Sequence, residues 1–164
     1  MRWIDDKFRR DPKRYVLQTL LAFVAIAAIV IGLGALTRGT IVAALGASAF
    51  VVFAMPEHDT AKSRRLIGGH VVCIAIGLVC SIPFRLGWIP TEALGQGLMI
   101  AAAVSLAIFA MAITNTEHPP AAGNALAFTI ERVDLAHVLF ILGAVVLLAA
   151  IRHLLRRWLR DLAF

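Results

Sequence analysis

The sequence predicts an all-α fold, a polytopic membrane helix bundle of six membrane segments, four long and two short, arranged as inverted 3+3 repeats. Three observations carry this. The chain of 164 residues is 60% hydrophobic, with a mean hydropathy of +0.85, more than a soluble domain of this size needs. Several apolar runs reach or approach the roughly 20 residues that cross a bilayer, where only helices and closed barrels can satisfy the backbone. The Lys and Arg residues behind the net charge of +6 collect at the two ends and in one loop. Cytoplasmic loops carry positive charge in that way. A nucleic-acid footprint would spread it along a face, so no nucleic-acid partner is expected.

Residues 1-14 read as a basic cytoplasmic N-terminal segment in which Trp3, Ile4 and Phe8 share one side. An interfacial helix and a solvated tail both fit that pattern. The first apolar run, Val16 to Leu36, lacks a small-residue cleavage site and is taken as a membrane helix rather than a signal peptide. After the break at Thr37-Arg38-Gly39-Thr40 comes a short segment, Thr40 to Met55, rich in Ala and Gly. At helical rise it is about 24 Å long, less than the ~30 Å hydrocarbon layer, so neighbours are expected to wrap it. The polar loop Pro56 to Arg65 precedes a third segment, Leu66 to Phe84, where Gly69, Cys73 and Gly77 recur every four residues as a packing stripe. Cys73 and Cys80 lie about 10 Å apart on that helix, too far for a disulfide, and are read as packing residues.

Trp88 anchors the next loop at the interface. The fourth segment, Gln96 to Thr114, is almost wholly apolar. Then comes the stretch on which the chain turns, Thr114-Asn-Thr-Glu-His-Pro-Pro-Ala-Ala-Gly-Asn-Ala-Leu126. Pro119 and Pro120 forbid one continuous helix but can open a new one, because a first-turn N–H would be unpaired anyway. The spacing predicts a helix ending near Thr114, a polar break, and a short segment from Pro119 to Ile130. Glu131 to Asp134 leads into the last segment, Leu135 to Leu155. Arg152, Arg156, Arg157 and Arg160 then form a basic end with Trp158. Residues 15-156 are thus one transmembrane domain, with halves at about 15-85 and 95-156, and 157-164 a cytoplasmic C-terminal end.

With six crossings, thirteen Lys and Arg lie on the face that holds both termini, and only Arg38, Arg85 and Arg132 on the other. If the short segments re-enter, the split falls to eleven and five. The larger asymmetry favours six crossings with both termini cytoplasmic in the inner (plasma) membrane. Each half reads long, short, long. Gly46 to Phe50 and Gly123 to Phe128 are weakly alike in the two short segments. Matching short segments in inverted halves point to a transporter site at the repeat interface. Two short helices packed through small residues give the same pattern.

Leu45-Gly46-Ala47-Ser48-Ala49, then Pro56, then Arg65-Leu66-Ile67-Gly68-Gly69-His70, then Glu117-His118-Pro119-Pro120-Ala121-Ala122-Gly123-Asn124-Ala125 resemble the HPP family of integral membrane proteins. The likeness spans about Tyr15 to Arg156. Plant and cyanobacterial members are associated with nitrite transport. The resemblance therefore implies a permease for nitrite or a similar small inorganic anion. Where the family often has Gly-Ala-Thr after the prolines, this chain has Ala121-Ala122-Gly123-Asn124. The family is usually described with four membrane helices, a count that leaves out the two short segments.

The expected substrate-binding residues are Ser48, His70, His118, Pro119, Pro120, Gly123 and Asn124. A helix N-terminus offers unpaired N–H groups and partial positive charge, so the amides of Ala121, Ala122 and Gly123 are expected to face an anion, with Arg38 before the other short segment. Glu57, His58, Arg65 and Glu117 are expected to act in proton transfer or gating. Glu117 has three readings: an ion pair with Arg64 or Arg65, a proton carrier, or a helix-end residue. His118 and His70 read either as structural hydrogen-bonders or as substrate groups, and His137 and His153 as interface residues. Glu57, His58, His70, Glu117 and His118 also suggest a divalent-metal site, although no tight metal-ligand spacing is present. A non-transporting membrane anchor or sensor is the remaining alternative. No nucleophile–base pair, phosphate loop or dinucleotide fingerprint appears, so neither an enzyme nor a cofactor is expected. The small size suggests a homo-oligomer in the lipid bilayer.

Overall fold

The structure is a computed structural model and describes residues 6–32, 39–89, 93–131 and 133–163. Among these, the regular structure is all helical. A short α1 (Asp6–Arg10) leads into α2 (Pro12–Gly32), followed by α3 (Gly39–Ala54), α4 (Ser63–Arg85), α5 (Ala93–Thr114), α6 (Ala122–Ile130) and α7 (Leu135–Leu155). Single 3₁₀ turns at Asp59–Ala61 and Pro119–Ala121 precede α4 and α6. Four helices, α2, α4, α5 and α7, are long and apolar enough to cross a membrane. α3, with 16 residues, is a shorter apolar helix.

Helix ends follow local chemistry. α2 starts at Pro12 rather than Val16, because proline is pre-set for the first helical turn and Asp11 accepts from the Arg14 N–H at 3.2 Å. α4 ends at Gly87, whose φ of 69° is left-handed, and Trp88 N–H reaches back to the Pro83 carbonyl at 2.9 Å. α5 ends in the same way. Asn115 takes a φ of 54°, and Thr116 N–H closes on the Met111 carbonyl at 2.9 Å. Both closures are the six-to-one bond of a Schellman motif, with asparagine taking the place of glycine in the second. Pro119 and Pro120 open the next turn as expected.

The chain's ends meet at one end of the bundle. Tyr15 Oη donates to the Leu162 carbonyl at 2.7 Å. Gln18, buried in the first apolar helix, donates to the Phe53 and Arg160 carbonyls and accepts from Arg160 N–H. Arg152 Nε donates to the Pro56 carbonyl at 3.1 Å. At the opposite end Thr40 bonds Glu131, and Arg85 reaches the Val133 carbonyl. The expected role of Arg38, like those of Trp3, Ile4 and Arg132, lies outside the described residues.

α6 is enclosed. It packs on α3, α4 and α5, and Asn124, Ala125, Ala127, Phe128 and Thr129 are buried. The small-residue stripe of α4 makes this possible. A Cβ on Gly77 would come within 2.8 Å of the Ala125 carbonyl, and one on Gly69 within 2.9 Å of the Thr116 carbonyl. The Cys73 thiol lies 3.6 Å from Met111 Sδ in a small cluster with Ala107, Ala121 and Ala125. The main core joins α2, α3, α4, α6 and α7 around Ile41, Val52, Phe128, Ile141 and Leu148. Val16, Leu20, Phe23 and Val24 on α2 face outward, as do Leu98, Phe109 and Ile113 on α5.

Candidate functional site

Four polar side chains meet inside the bundle, each from a different element. Ser48 comes from α3, His70 from α4, Asn124 from α6 and His118 from the break before the prolines. All four are fully buried. Ser48 sits six residues from the end of α3 and His70 seven from the start of α4, so the cluster lies about 10 Å inside the end that carries the chain's ends.

The hydrogen bonds form one chain. Asn124 Nδ2 lies 2.6 Å from His70 Nδ1. His70 Nε2 lies 2.9 Å from Ser48 Oγ, and Ser48 Oγ lies 3.0 Å from His118 Nε2. His118 Nδ1 lies 2.8 Å from the Thr60 carbonyl. Ser48 Oγ also lies 2.9 Å from the Ala44 carbonyl one turn back. The two imidazole centroids are 5.3 Å apart. The Thr60 carbonyl can only accept, so His118 carries its proton on Nδ1. The Asn124 amide donates to His70 Nδ1, so His70 carries its proton on Nε2 and donates to Ser48. Ser48 then donates to His118 Nε2. Every link is satisfied with all four groups neutral. Asn124 Oδ1 is the exception, buried without a protein partner.

The backbone that holds His118 is fixed from three sides. Asn115 ends α5, Pro119 and Pro120 set the turn that follows, and Gly68 and Gly69 leave room for Thr116 and the His118 Cβ. The turn uses the amides expected to cradle an anion. Ala121 N–H bonds the His118 carbonyl, and Ala122 N–H bonds the Pro119 and Pro120 carbonyls. Gly123 faces Ala44, where an added Cβ would come within 3.2 Å, so its closeness serves helix packing. The Ala121 and Ala122 amides are therefore engaged within the turn. The polar side chains behind them form the candidate site.

The expected gating residues lie outside the chain, at the mouth. Arg65 ties it together. It donates to Asn115 Oδ1 at 2.9 Å, lies 3.8 Å from Asp59, and lies 3.5 Å from Glu117 Oε2, an ion pair without hydrogen-bond geometry. Of the three readings of Glu117, the pair with Arg65 is the one found. Arg64 donates to the Thr114 carbonyl at 3.2 Å. Glu57 pairs with Arg160 at 3.2 Å, and exposed His58 bonds Thr60 Oγ1 at 2.9 Å. Lys62 and Arg65 hold the Asp59 carboxyl below the usual carboxylate range. His137 forms with Asp134 the capping box that opens α7, and its side chain is buried. Among the described residues no three His, Cys, Asp or Glu side chains come together as metal ligands.

Sequence reasoning did not find Thr60, whose carbonyl orients His118, or Gln18, which locks α2 to the last residues. Thr60 acts through its backbone and leaves no residue signature. Gln18 was legible as a lone amide in an apolar run. Near Arg85 at the far end, a cavity of about 510 Å³ is lined by Ser81, Gln96, Thr129 and Glu131.

The chain matches a protein-family model described as "HPP, transmembrane region" over residues 7–160. Two transmembrane proteins of Dictyostelium discoideum are similar. One is 35% identical over 86 residues, covering 52% of this chain and 28% of the relative. The other is 36% identical over 80 residues, covering 49% and 24%. The matches thus span about a quarter of each relative's length. No solved structure matches.

Proposed function

The chain belongs to the HPP family of transmembrane proteins, and from that premise we propose that it is a membrane transporter or channel for a small inorganic anion, nitrite being the candidate substrate. One observation carries the reading: the sealed chain of Asn124, His70, Ser48 and His118 inside a bundle of membrane-length helices. Polar groups at membrane depth are costly and mark substrate or proton paths. Asn124 holds spare capacity, with an unpartnered Oδ1 and a second N–H on Nδ2. Arg64 and Arg65 stand at one end of the bundle and Arg85 at the other, where positive charge would collect an anion.

The proposed architecture is six crossings in two inverted halves, with both termini cytoplasmic. Its support is that α3 bonds Glu131 through Thr40 at one end and Gln18 through the Phe53 carbonyl at the other, while the segment from His118 to Glu131 runs between Thr60 and Thr40. The outward apolar faces of α2 and α5 suit lipid or another copy of the chain, and a homo-oligomer is proposed. Full flux in proteoliposomes reconstituted at no more than one copy per vesicle would refute the oligomer.

The test is nitrite flux into proteoliposomes. The parent is expected to conduct. His118→Ala and Asn124→Ala are expected to lose most flux, and Glu57→Gln to keep it. Absence of nitrite flux in folded parent protein would sink the substrate. Flux unchanged in both site variants would sink the site.

A further inference from the structure

We propose that His118 is a proton-binding site and that the Ser48 hydroxyl is its switch, so that the chain takes up one proton without moving a heavy atom. Ser48 Oγ has one hydrogen and two acceptors within reach, His118 Nε2 at 3.0 Å and the Ala44 carbonyl at 2.9 Å. With His118 neutral, the hydrogen points to Nε2. When a proton arrives on Nε2, the hydroxyl turns to Ala44 and its oxygen accepts from the imidazolium. Nδ1–H stays on the Thr60 carbonyl in both states. His70 also stays neutral in both, donating from Nε2 to Ser48 and accepting from Asn124. The Ser48 hydrogen has an acceptor before and after, and the N–H added to His118 finds one in the Ser48 oxygen.

The two histidines are not equivalent. His118 faces a backbone carbonyl, which stabilises a cation. His70 faces an amide N–H, which leaves no room for a second proton. Among the described residues, the groups bonded to His118 are the Thr60 carbonyl and the Ser48 hydroxyl, neither of them charged. Against His118, α3 contributes Ser48, α4 contributes Gly69 and His70, and the turn before α4 contributes the Thr60 carbonyl. The nearby carboxylates are turned to cations: Asp59 to Lys62 and Arg65, Glu117 to Arg65. Protonation therefore creates an uncompensated buried positive charge. A small anion entering the same compartment would neutralise it, so each would favour the other by linkage. That last step rests on the anion-transport reading and makes transport a proton–anion symport. The protonation step does not depend on it.

The experiment is nitrogen NMR of histidine-labelled protein in lipid discs, titrated from about pH 8 to about pH 4.5 around the ordinary histidine range. His118→Gln and His70→Gln assign the signals. At the alkaline end His118 should be the Nδ1–H tautomer and His70 the Nε2–H tautomer. On acidification the bare-nitrogen signal of His118 should vanish while that of His70 persists. Ser48→Ala should lower the His118 midpoint by about one pH unit, because a charged N–H loses more than a neutral nitrogen does. Ser48→Thr should restore it. If His118 stays singly protonated throughout, if His70 takes the proton first, or if Ser48→Ala leaves the midpoint in place, the proposal is overturned. Nitrite flux is read beside it in proteoliposomes with a lumenal pH dye. Flux without acidification refutes the symport. Absence of flux refutes the transport reading, and the histidine titration still decides the proton site.

Discussion

Replacing Gly69 with alanine tests whether the polar chain depends on close helix contact. An added Cβ would sit 2.8 Å from the His118 Cβ and 2.9 Å from the Thr116 carbonyl oxygen. Carbon atoms in good contact are at least 3.5 Å apart, so the segment must retreat by about 0.7 Å. The Ser48–His118 bond is 3.0 Å long. Lengthened by about that amount it is no longer a hydrogen bond. Neither obstacle is the far end of a flexible side chain: one is the root of His118 and the other is backbone held by the α5 closure. The expected loss is about 1–3 kcal/mol from overpacking. The assay is unfolding in detergent, with the His118 nitrogen signals as a local probe. Gly46→Ala is the control, because nothing lies within 4 Å of its added Cβ, and it should be neutral or stabilising. Parent-like stability and parent-like His118 signals in Gly69→Ala would refute the dependence.

Other perturbations have equally definite signs. Asn115→Gly should preserve or raise stability, since glycine accepts the left-handed φ of 54°, whereas Asn115→Val should destabilise and loosen the Arg65 tie, as measured by unfolding. Gln18→Leu should cost about 1–3 kcal/mol, because it leaves the Phe53 carbonyl buried without its Gln18 partner and removes the tie to Arg160 N–H. Arg160→Ala, on the exposed Glu57 pair, should cost well under that in the same unfolding assay. The hydrogen bond from His137 holds the Asp134 carboxyl below the ordinary range. A depressed folded pKa stabilises above the unfolded value and is lost as pH falls through the folded one. The stability gap between parent and Asp134→Ala should therefore be open at neutral pH and close below about pH 4.

The long helices were legible because a bilayer-length apolar run has few alternatives. The break was legible because two prolines after a polar run leave little choice. That Ser48, His70, His118 and Asn124 come together was also readable, since polar side chains in apolar segments need partners. The sequence did not reveal which groups would partner them. The anion cradle was expected at the amides of Ala121, Ala122 and Gly123, but a 3₁₀ turn uses the first two where an α-helix would have left them open. The bond between His137 and Asp134 was not legible because it depends on cap geometry rather than composition.

The chain of hydrogen bonds also constrains how the molecule can move. Ser48 and His70 belong to the first half of the sequence, His118 and Asn124 to the second. The Ser48–His70 bond lies within the first half. The bonds from His118 to Ser48, from Asn124 to His70 and from His118 to Thr60 all cross between the halves. Any opening that separates α6 from α3 and α4 must break these bonds in the interior, where each unmade bond is costly. The Gly69 and Gly77 contacts are smooth and resist such a separation only through packing. The polar chain should then set the opening free energy, and Ser48→Ala should speed hydrogen exchange at the amides of residues 121–128 while leaving those in the middle of α7 unchanged. Equal protection of residues 121–128 in parent and variant would mean that packing alone holds the halves together.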